Sequence, residues 1–359
     1  MKVAIVHDDL VQWGGAERIL RGICDIFPNA PIFTSLVDFS NDRLKQAFAG
    51  KKVISSFLQK IPVSKSLYKA LLPLYPLSFE QFVFDEYDLV ISQTTRFAKC
   101  IITKPKTTHI SYCHTPPRFL WNYSNLAEVL QNRFLINKLR LVDQIYAQRV
   151  DQFLAGSINA QTRIKQAYNR QAPVIYPYVD LQRFNNIESF NGGYFLVIAR
   201  LNRYKRVDLA IKACFELKLP LKIVGIGPEL DRLSAMGQTG EVDFLGNIDD
   251  ATLTLVLAGA EALIIPGIED FGLTSLEAQA LGKPVIAFKS GGALETVVEG
   301  QTGIFFHMQT VDSLKEAIKK LESAQINPER CQQNANKFNK ESFTKNFKQI
   351  IASLVYTKK

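Results

Sequence analysis

Two carboxylates, Glu269 and Glu277, stand with seven residues between them in the stretch PGIEDFGLTSLE (266–277). An apolar run, EALII (261–265), precedes them and reads as a short buried strand that Pro266 and Gly267 end. LTSLEAQAL (273–281) has helical spacing, with Gly282 placed as its C-cap. The spacing predicts Glu269 in a strand-to-helix loop and Glu277 about one and a half turns into the helix. The backbone N–H groups of Gly272, Leu273 and Thr274 would open that helix. Unpaired donors and the positive end of the helix dipole converge there, which makes an anion site. An anion site flanked by two carboxylates suits a ligand with phosphate in its middle and hydroxyls at both ends. A nucleotide-sugar has that layout, with sugar near Glu269, diphosphate at the helix start and ribose near Glu277. Read alone, the same residues would also make a capped surface helix with two solvated acids.

A second group of residues is cationic. In ARLNRYKRVDLAI (199–211), Arg200 follows a strand-like run and Lys205 stands at the expected start of a helix. Two cations at the carboxyl edge of a sheet would bind a diphosphate and stabilise charge on a leaving nucleotide, at about 1.5–3 kcal/mol per charge-assisted bond. With Arg203 and Arg206 they would equally form a surface basic cluster. His114, in SYCHTPPRFLW (111–121), falls between a strand and a Pro-Pro break; it faces a ligand or caps a loop. Gly14 and Gly15 lie between the first strand and a helix, where a backbone can approach a phosphate or simply turn tightly. Gly246 and the Gly225-Ile226-Gly227 turn end two further strands, and either offer backbone groups to a nucleobase or are only loops.

These residues need sheets to carry them. Strand-like runs are KVAIVH (2–7), PIFTSL (31–36), DLVIS (88–92), HISYC (109–113) and QFLAGS (152–157), then PVIYP (173–177), YFLVIA (194–199), LKIVGIG (221–227), VDFLG (242–246), ALIIP (262–266) and PVIAF (284–288). Several are unbroken Val/Ile/Leu runs, as parallel strands covered on both faces require. Helical stretches at 15–27, 126–150, 205–218, 250–260, 273–281 and 312–323 alternate with them. The expectation is an α/β chain of two doubly wound Rossmann-like domains facing a central cleft, with ligands at the carboxyl ends of the strands. The domains are expected at 1–177 and 178–335, with 336–359 as a helix returning to the first.

The chain has 359 residues, 47% apolar, enough for two cores, and no apolar run long enough to span a bilayer. The opening MKVAIVHDD reads as a first strand and not a signal peptide. Five cysteines are scattered without metal spacing, which fits reduced thiols in a cytoplasmic protein. Net charge is +9, and all of the excess falls in residues 1–175, with 22 Lys/Arg against 13 Asp/Glu. The segment 43–69 holds Arg43, Lys45, Lys51, Lys52, Lys60, Lys65 and Lys69 without an acid, followed by the aromatic and apolar LYKALLPLYPLSFEQF (67–82). That pairing suits an anionic inner-membrane face better than nucleic acid, for which no recognition motif is visible, or else forms a solvated basic surface.

GGAER (14–18), YCHTPPRFLW (112–121), ARL…YKRVDLAI (199–211), VDFLGNI (242–248) and EDFGLTSLEAQALGKPVIAFKSGGALETVVEGQTGIFF (269–306) together resemble the family 4 retaining glycosyltransferases of GT-B fold, from residue 1 to about 325. HDDLVQWGGAER, ISSFLQKIP, ISYCHTPPRFLW and VIYPYVDLQRF are most similar to the bacterial mannosyltransferase subgroup of O-antigen and exopolysaccharide assembly. The resemblance implies Arg200 and Lys205 on the donor diphosphate, Glu269 near the donor sugar, Glu277 on the ribose, Gly15 facing the phosphate and His114 beside the sugar. The expected catalytic set is Glu269, His114, Arg200 and Lys205. The donor-binding set is Gly14, Gly15, Arg200, Lys205, Gly246, Phe271, Gly272, Leu273, Thr274 and Glu277. No metal or other cofactor is implied, and Asp8-Asp9 read as loop or acceptor groups. Retention implies front-face attack, so Glu269 is not assigned as a nucleophile.

The implied activity moves a hexose, mannose from GDP-mannose first, to a sugar hydroxyl of a lipid-linked or oligosaccharide acceptor at the inner membrane face. A UDP-hexose donor, a nucleotide-sugar epimerase, a phosphorylase and a non-catalytic nucleotide-sugar-binding protein are the alternatives. A nicotinamide dehydrogenase is disfavoured because GIGPEL (225–230) lacks the third glycine of the dinucleotide fingerprint.

Overall fold

The computed structural model describes residues 1–61, 71, 73–121, 133–238 and 241–357. The chain divides into two compact units, Met1–Pro177 with Phe343–Lys359, and Tyr178–Ser342. The first carries strands β1 (Val3–His7), β2 (Ile32–Thr34), β3 (Val53–Ser55), β4 (Leu89–Thr94), β5 (Thr108–Cys113) and β6 (Gln152–Ala155). Its helices are α1 (Gly15–Ile26), α2 (Asp42–Ala47), α3 (Tyr75–Glu80), α4 (Arg118–Trp121), α5 (Arg133–Gln148) and α6 (Ile158–Tyr168). The strands are all parallel, in the order β3-β2-β1-β4-β5-β6.

The second unit carries β7 (Tyr194–Ile198), β8 (Leu221–Val224), β9 (Val242–Gly246), β10 (Ala260–Ile265), β11 (Val285–Phe288) and β12 (Gly303–Phe306). Its helices are α7 (Val207–Leu217), α8 (Leu230–Gly237), α9 (Asp250–Gly259), α10 (Leu273–Ala280), α11 (Ala293–Thr296), α12 (Val311–Ala324) and α13 (Pro328–Asn336). α14 (Lys340–Thr357) ends the chain and from Phe343 onward belongs to the first unit. Its order, β12-β11-β10-β7-β8-β9, repeats the first sheet's plan with every pair parallel. Both sheets are doubly wound, and in each the first strand sits where the strand order reverses. Ligands of such sheets bind outside the carboxyl ends at that reversal. In the second unit it lies between β7 and β10, in the first between β1 and β4.

The sheets are buried on both faces, which is why their strands read as continuous apolar runs. Val197, Ile223, Ile264, Ile286 and Ile304 pack with Leu209 and Ile211 of α7. Helix starts follow local capping chemistry. Ser157 accepts the Ala160 N–H at 2.9 Å, and Asp249 accepts that of Thr252 at 2.8 Å.

Several expectations need correction. PVIYP (173–177) forms no strand: Val174 makes only an isolated bridge to Ala155, beside the edge strand β6. The short strands β3 and β12 were not read from the sequence. Lys205 precedes α7, lying in a 3-10 turn, Arg203–Lys205, that Arg206 ends in a left-handed conformation (φ 52°). The expected helix at 336–359 begins at Lys340, and its Phe343 and Phe347 rings lie 6.2 and 6.1 Å from Tyr112 of the first unit. The expected helix at 126–150 is seen from Arg133, and Lys65 and Lys69 lie outside the described residues. Lys51 is not a free surface cation, because its ammonium donates to the carbonyls of Pro28 (2.7 Å) and Cys24 (3.2 Å), just past and within the last turn of α1. Among the described residues no helix is long and apolar enough to cross a membrane.

Candidate functional site

In the second unit, the loops leaving β7 and β10 meet at the sheet's reversal. Lys205 Nζ lies 2.5 Å from Glu269 Oε1, and the two side chains are 13% and 18% exposed. Gly267 makes this approach possible. A Cβ there would stand 2.7 Å from the Lys205 Cα and from the Tyr204 carbonyl, so any side chain would push the two loops apart. Glu269 is also fixed through its backbone, bridging Gly291 and accepting the Gly292 N–H at 2.9 Å. An ammonium and a carboxylate, 64 residues apart in sequence, are thereby placed beside one helix start.

That helix is α10. Gly272 is its N-cap at φ 96°, a conformation that only glycine adopts without strain, and it offers no capping side chain. The N–H groups of Gly272, Leu273 and Thr274 have no acceptor among the described residues, so the helix opens on free donors. The helix itself is held firmly. Ser275 Oγ donates to Thr296 Oγ1 (2.7 Å), Gln279 Nε2 to the Thr296 carbonyl (2.8 Å) and Asn334 Nδ2 to Gln279 Oε1 (2.7 Å), all buried. These bonds tie α10 to α11 and α13, so the donors at its start are preorganised.

Arg200, the other expected cation, is exposed and has no ion-pair partner among the described residues. Glu277 lies on α10 as expected, but its carboxylate is engaged by Arg183, a partner that no local pattern in the sequence announces; Nη1 lies 2.7 Å from Oε1. Arg183 stands inside VIYPYVDLQRF, a segment read only for its resemblance. Two expected donor-binding residues are also used by the fold. The Phe271 ring is packing, 6% exposed with its centroid 5.5 Å from that of Phe338, so only its backbone can face a ligand. Gly246 belongs to the ladder, and its carbonyl accepts the Gly225 N–H at 2.8 Å.

In the first unit, Gly14 caps α1 and Gly15 begins it, both beyond the carboxyl end of β1. Glu17, in the first turn of α1, is buried with Oε1 3.7 Å from His7 Nε2. His114 follows β5, and its Nε2 lies 2.7 Å from the side-chain nitrogen of Gln93, a second such partner. The same nitrogen donates to the Ala16 carbonyl at 2.7 Å. A carbonyl can only accept, which fixes the orientation of the Gln93 amide, so His114 Nε2 must accept as well. His114 is therefore neutral, with its proton on Nδ1. No local pattern in the sequence links Gln93 to His114, since the contact arises from the β4–β5 pairing.

The adjacent Asp8 and Asp9 are structural. Asp8 accepts the backbone N–H groups of Thr95, Arg96, Phe97 and Ala98 at 2.6–2.9 Å, anchoring the loop after β4. Burial would raise its pKa, but Arg96, His7 and these donors outweigh it and hold the carboxyl below its ordinary value. Asp9 is bound by Arg96 Nη2 and Ser35 Oγ. Cys24, Cys100, Cys113, Cys214 and Cys331 are all buried and outside any disulfide, and burial pushes the thiols of Cys24, Cys214 and Cys331 up to about 12. Those three are unsuited to act as nucleophiles.

Residues 180–338 match the family model described as Glycosyl transferases group 1. The alpha-1,3/1,6-mannosyltransferase ALG2 of Dictyostelium discoideum is 24% identical, over 99% of this chain and 98% of its own length. Among solved structures, sucrose-phosphate synthase from Thermosynechococcus elongatus aligns with a TM-score of 0.78 at 18% identity, covering 99% of this chain and 100% of that one. HepE of Anabaena in complex with UDP gives 0.73 at 20% identity, over 98% and 100%.

Proposed function

Since the chain is a glycosyltransferase of GT-B fold, with residues 180–338 as its group 1 domain, we propose that it transfers mannose from GDP-mannose to a sugar hydroxyl of a lipid-linked glycan, with retention and without a metal. The observation that carries this reading is the Lys205–Glu269 pair beside the open start of α10. The donor diphosphate takes the free N–H groups of Gly272, Leu273 and Thr274, with Lys205 and Arg200 neutralising the charge that grows on the leaving nucleotide. Glu269 orients Lys205 and borders the donor sugar, and Glu277 takes the ribose. In the first unit, the proposal assigns Gly14 and Gly15 to the phosphates and His114 to the sugar, as an Nδ1–H group and not as a base. Attack is front-face, and the leaving phosphate receives the acceptor proton. Glu269 forms no bond to sugar carbon.

Mannose is favoured by the ALG2 relative, whose name states mannosyl transfer. A UDP-sugar donor is the second reading, favoured by the UDP bound to HepE. Thermal unfolding with GDP, UDP, ADP, GDP-mannose, UDP-glucose and UDP-N-acetylglucosamine, without added metal, separates them. A ligand at 100 times its Kd adds about 2.7 kcal/mol. Stabilisation by guanine ligands alone supports the mannosyl donor, stabilisation by uracil ligands alone replaces it, and none from any ligand removes the site assignment. An epimerase would instead consume GDP-mannose with no acceptor present.

The reading also places the protein on an anionic inner-membrane surface. Lys45, Lys52 and Lys60 are exposed, and Leu77 and Val83 are 50% and 69% exposed. Each basic residue near such a surface contributes about 1 kcal/mol. Binding to vesicles containing phosphatidylserine is expected to fall with salt and with Lys52→Glu and Lys60→Glu together. Binding indifferent to both would make this a plain solvated face.

A further inference from the structure

Glu277 has one polar partner among the described residues, and that partner comes from far along the chain. Arg183 stands in the 3-10 turn Leu181–Phe184, 94 residues before Glu277, and its Nη1 lies 2.7 Å from Oε1. The two side chains are 14% and 12% exposed, so the pair is largely withdrawn from water. The guanidinium is held on two more sides. Its centre lies 5.2 Å from the Phe184 ring centroid, and Nη2 lies 3.9 Å from Asp250 Oδ1 at the start of α9. A planar guanidinium gripped by a ring and two acids has little freedom to move, and Glu277 inherits that rigidity. One oxygen of the carboxylate is thus committed, while Oε2 receives no donor among the described residues.

An unrestrained glutamate gives up rotamer freedom when it accepts from a ribose hydroxyl, so the bond it makes is weaker. A carboxylate with one oxygen engaged accepts through the other only. We propose that Arg183 is the positioning residue for Glu277: it fixes Oε1 so that Oε2 takes a single ribose hydroxyl of the donor, which sets the preference for ribonucleotides over one deoxy form. This rests on the assignment of Glu277 to the ribose. Loss of the one charge-assisted hydrogen bond costs on the order of 10- to 100-fold in affinity, concentrated on one hydroxyl.

The test uses the full chain and whichever of GDP or UDP stabilises it, with the 2′-deoxy and 3′-deoxy counterparts, and measures Kd by calorimetry. The wild type is expected to bind the ribonucleotide on the order of 10- to 100-fold tighter than one deoxy form and about equally to the other. Arg183→Leu should weaken the ribonucleotide, leave the disfavoured deoxy form nearly unchanged and so collapse that ratio, and Arg183→Lys should restore part of it. If Arg183 only supports the fold, Arg183→Leu and Arg183→Lys weaken all three nucleotides by one factor and keep the ratio, which overturns the proposal. Glu277→Ala separates the two layers. A ratio that survives Glu277→Ala removes the ribose assignment itself, as does a wild-type ratio near one or no binding of either nucleotide. A ratio lost in Glu277→Ala but kept in Arg183→Leu removes only the role of Arg183.

Discussion

Lys205→Ala and Glu269→Ala are each expected to lower transfer by about two to three orders of magnitude, the loss typical when one preorganised electrostatic group is removed from a reacting centre. The two act differently. Lys205→Ala removes a charge from the diphosphate while it is leaving, so kcat should fall with little change in KM. Glu269→Ala removes the group that aims Lys205 and leaves an ammonium 13% exposed without its partner. Glu269→Gln keeps a hydrogen-bond acceptor for Lys205 and should retain more activity than Glu269→Ala. Stability should fall by about 1–3 kcal/mol, because both side chains are largely withdrawn from water and each variant leaves one without its partner. For a unit of this size that is about 2–12 °C in melting temperature. Purified variants with wild-type melting and near-wild-type transfer would remove the pair from the reaction.

How much of this arrangement was legible depended on the range over which each feature is encoded. Glu269 and Glu277 lie on one strand–loop–helix unit, so the breaking Pro266-Gly267 and the spacing of LTSLEAQAL were enough to place them. Arg200 and Lys205 were placed relative to β7 for the same reason, although the 3-10 turn before α7 was not foreseen, since it depends on Arg206 adopting a left-handed conformation that no side-chain type announces. Long-range contacts were not legible. Arg183 meets Glu277 across 94 residues, and Gln93 meets His114 because two parallel strands happen to be in register. The inward turn of the Phe271 ring was not legible either, because a motif does not say which of its side chains are buried. Lys51 shows the limit of charge patterns: a lysine in a basic stretch can be committed to two carbonyls of its own fold.

Asp143→Ala should be the most destabilising single change in the first unit. Lys99 Nζ lies 2.5 Å from Asp143 Oδ1, and both side chains are fully buried. The ammonium also donates to the Arg96 carbonyl at 2.6 Å, while Asp143 Oδ2 accepts from Tyr168 Oη and Trp121 Nε1, each at 2.8 Å. Burial and the Asp143 carboxylate push the Tyr168 hydroxyl well up, which keeps it a donor. Removing Asp143 strands an ammonium in an apolar interior at a cost of about 3–5 kcal/mol, or about 6–20 °C in melting temperature. Lys99→Met should cost less, because Tyr168 and Trp121 still satisfy the remaining carboxylate. Lys99→Met combined with Asp143→Leu should recover much of the loss, since two apolar side chains need no compensation. The pair also has a signature in pH. Burial disfavours the charged lysine, yet Asp143 outweighs it and raises the Lys99 pKa above 10.5. A raised pKa means that the contribution is complete below about pH 10.5 and is lost as pH climbs through the folded value. Wild-type stability should therefore fall more steeply than that of the double variant in strongly alkaline solution. Asp143→Ala melting within 2 °C of wild type, or a double variant no better than the single, would mean that water or rearrangement compensates the buried charge, and that the network does not hold the loop after β4 against α5.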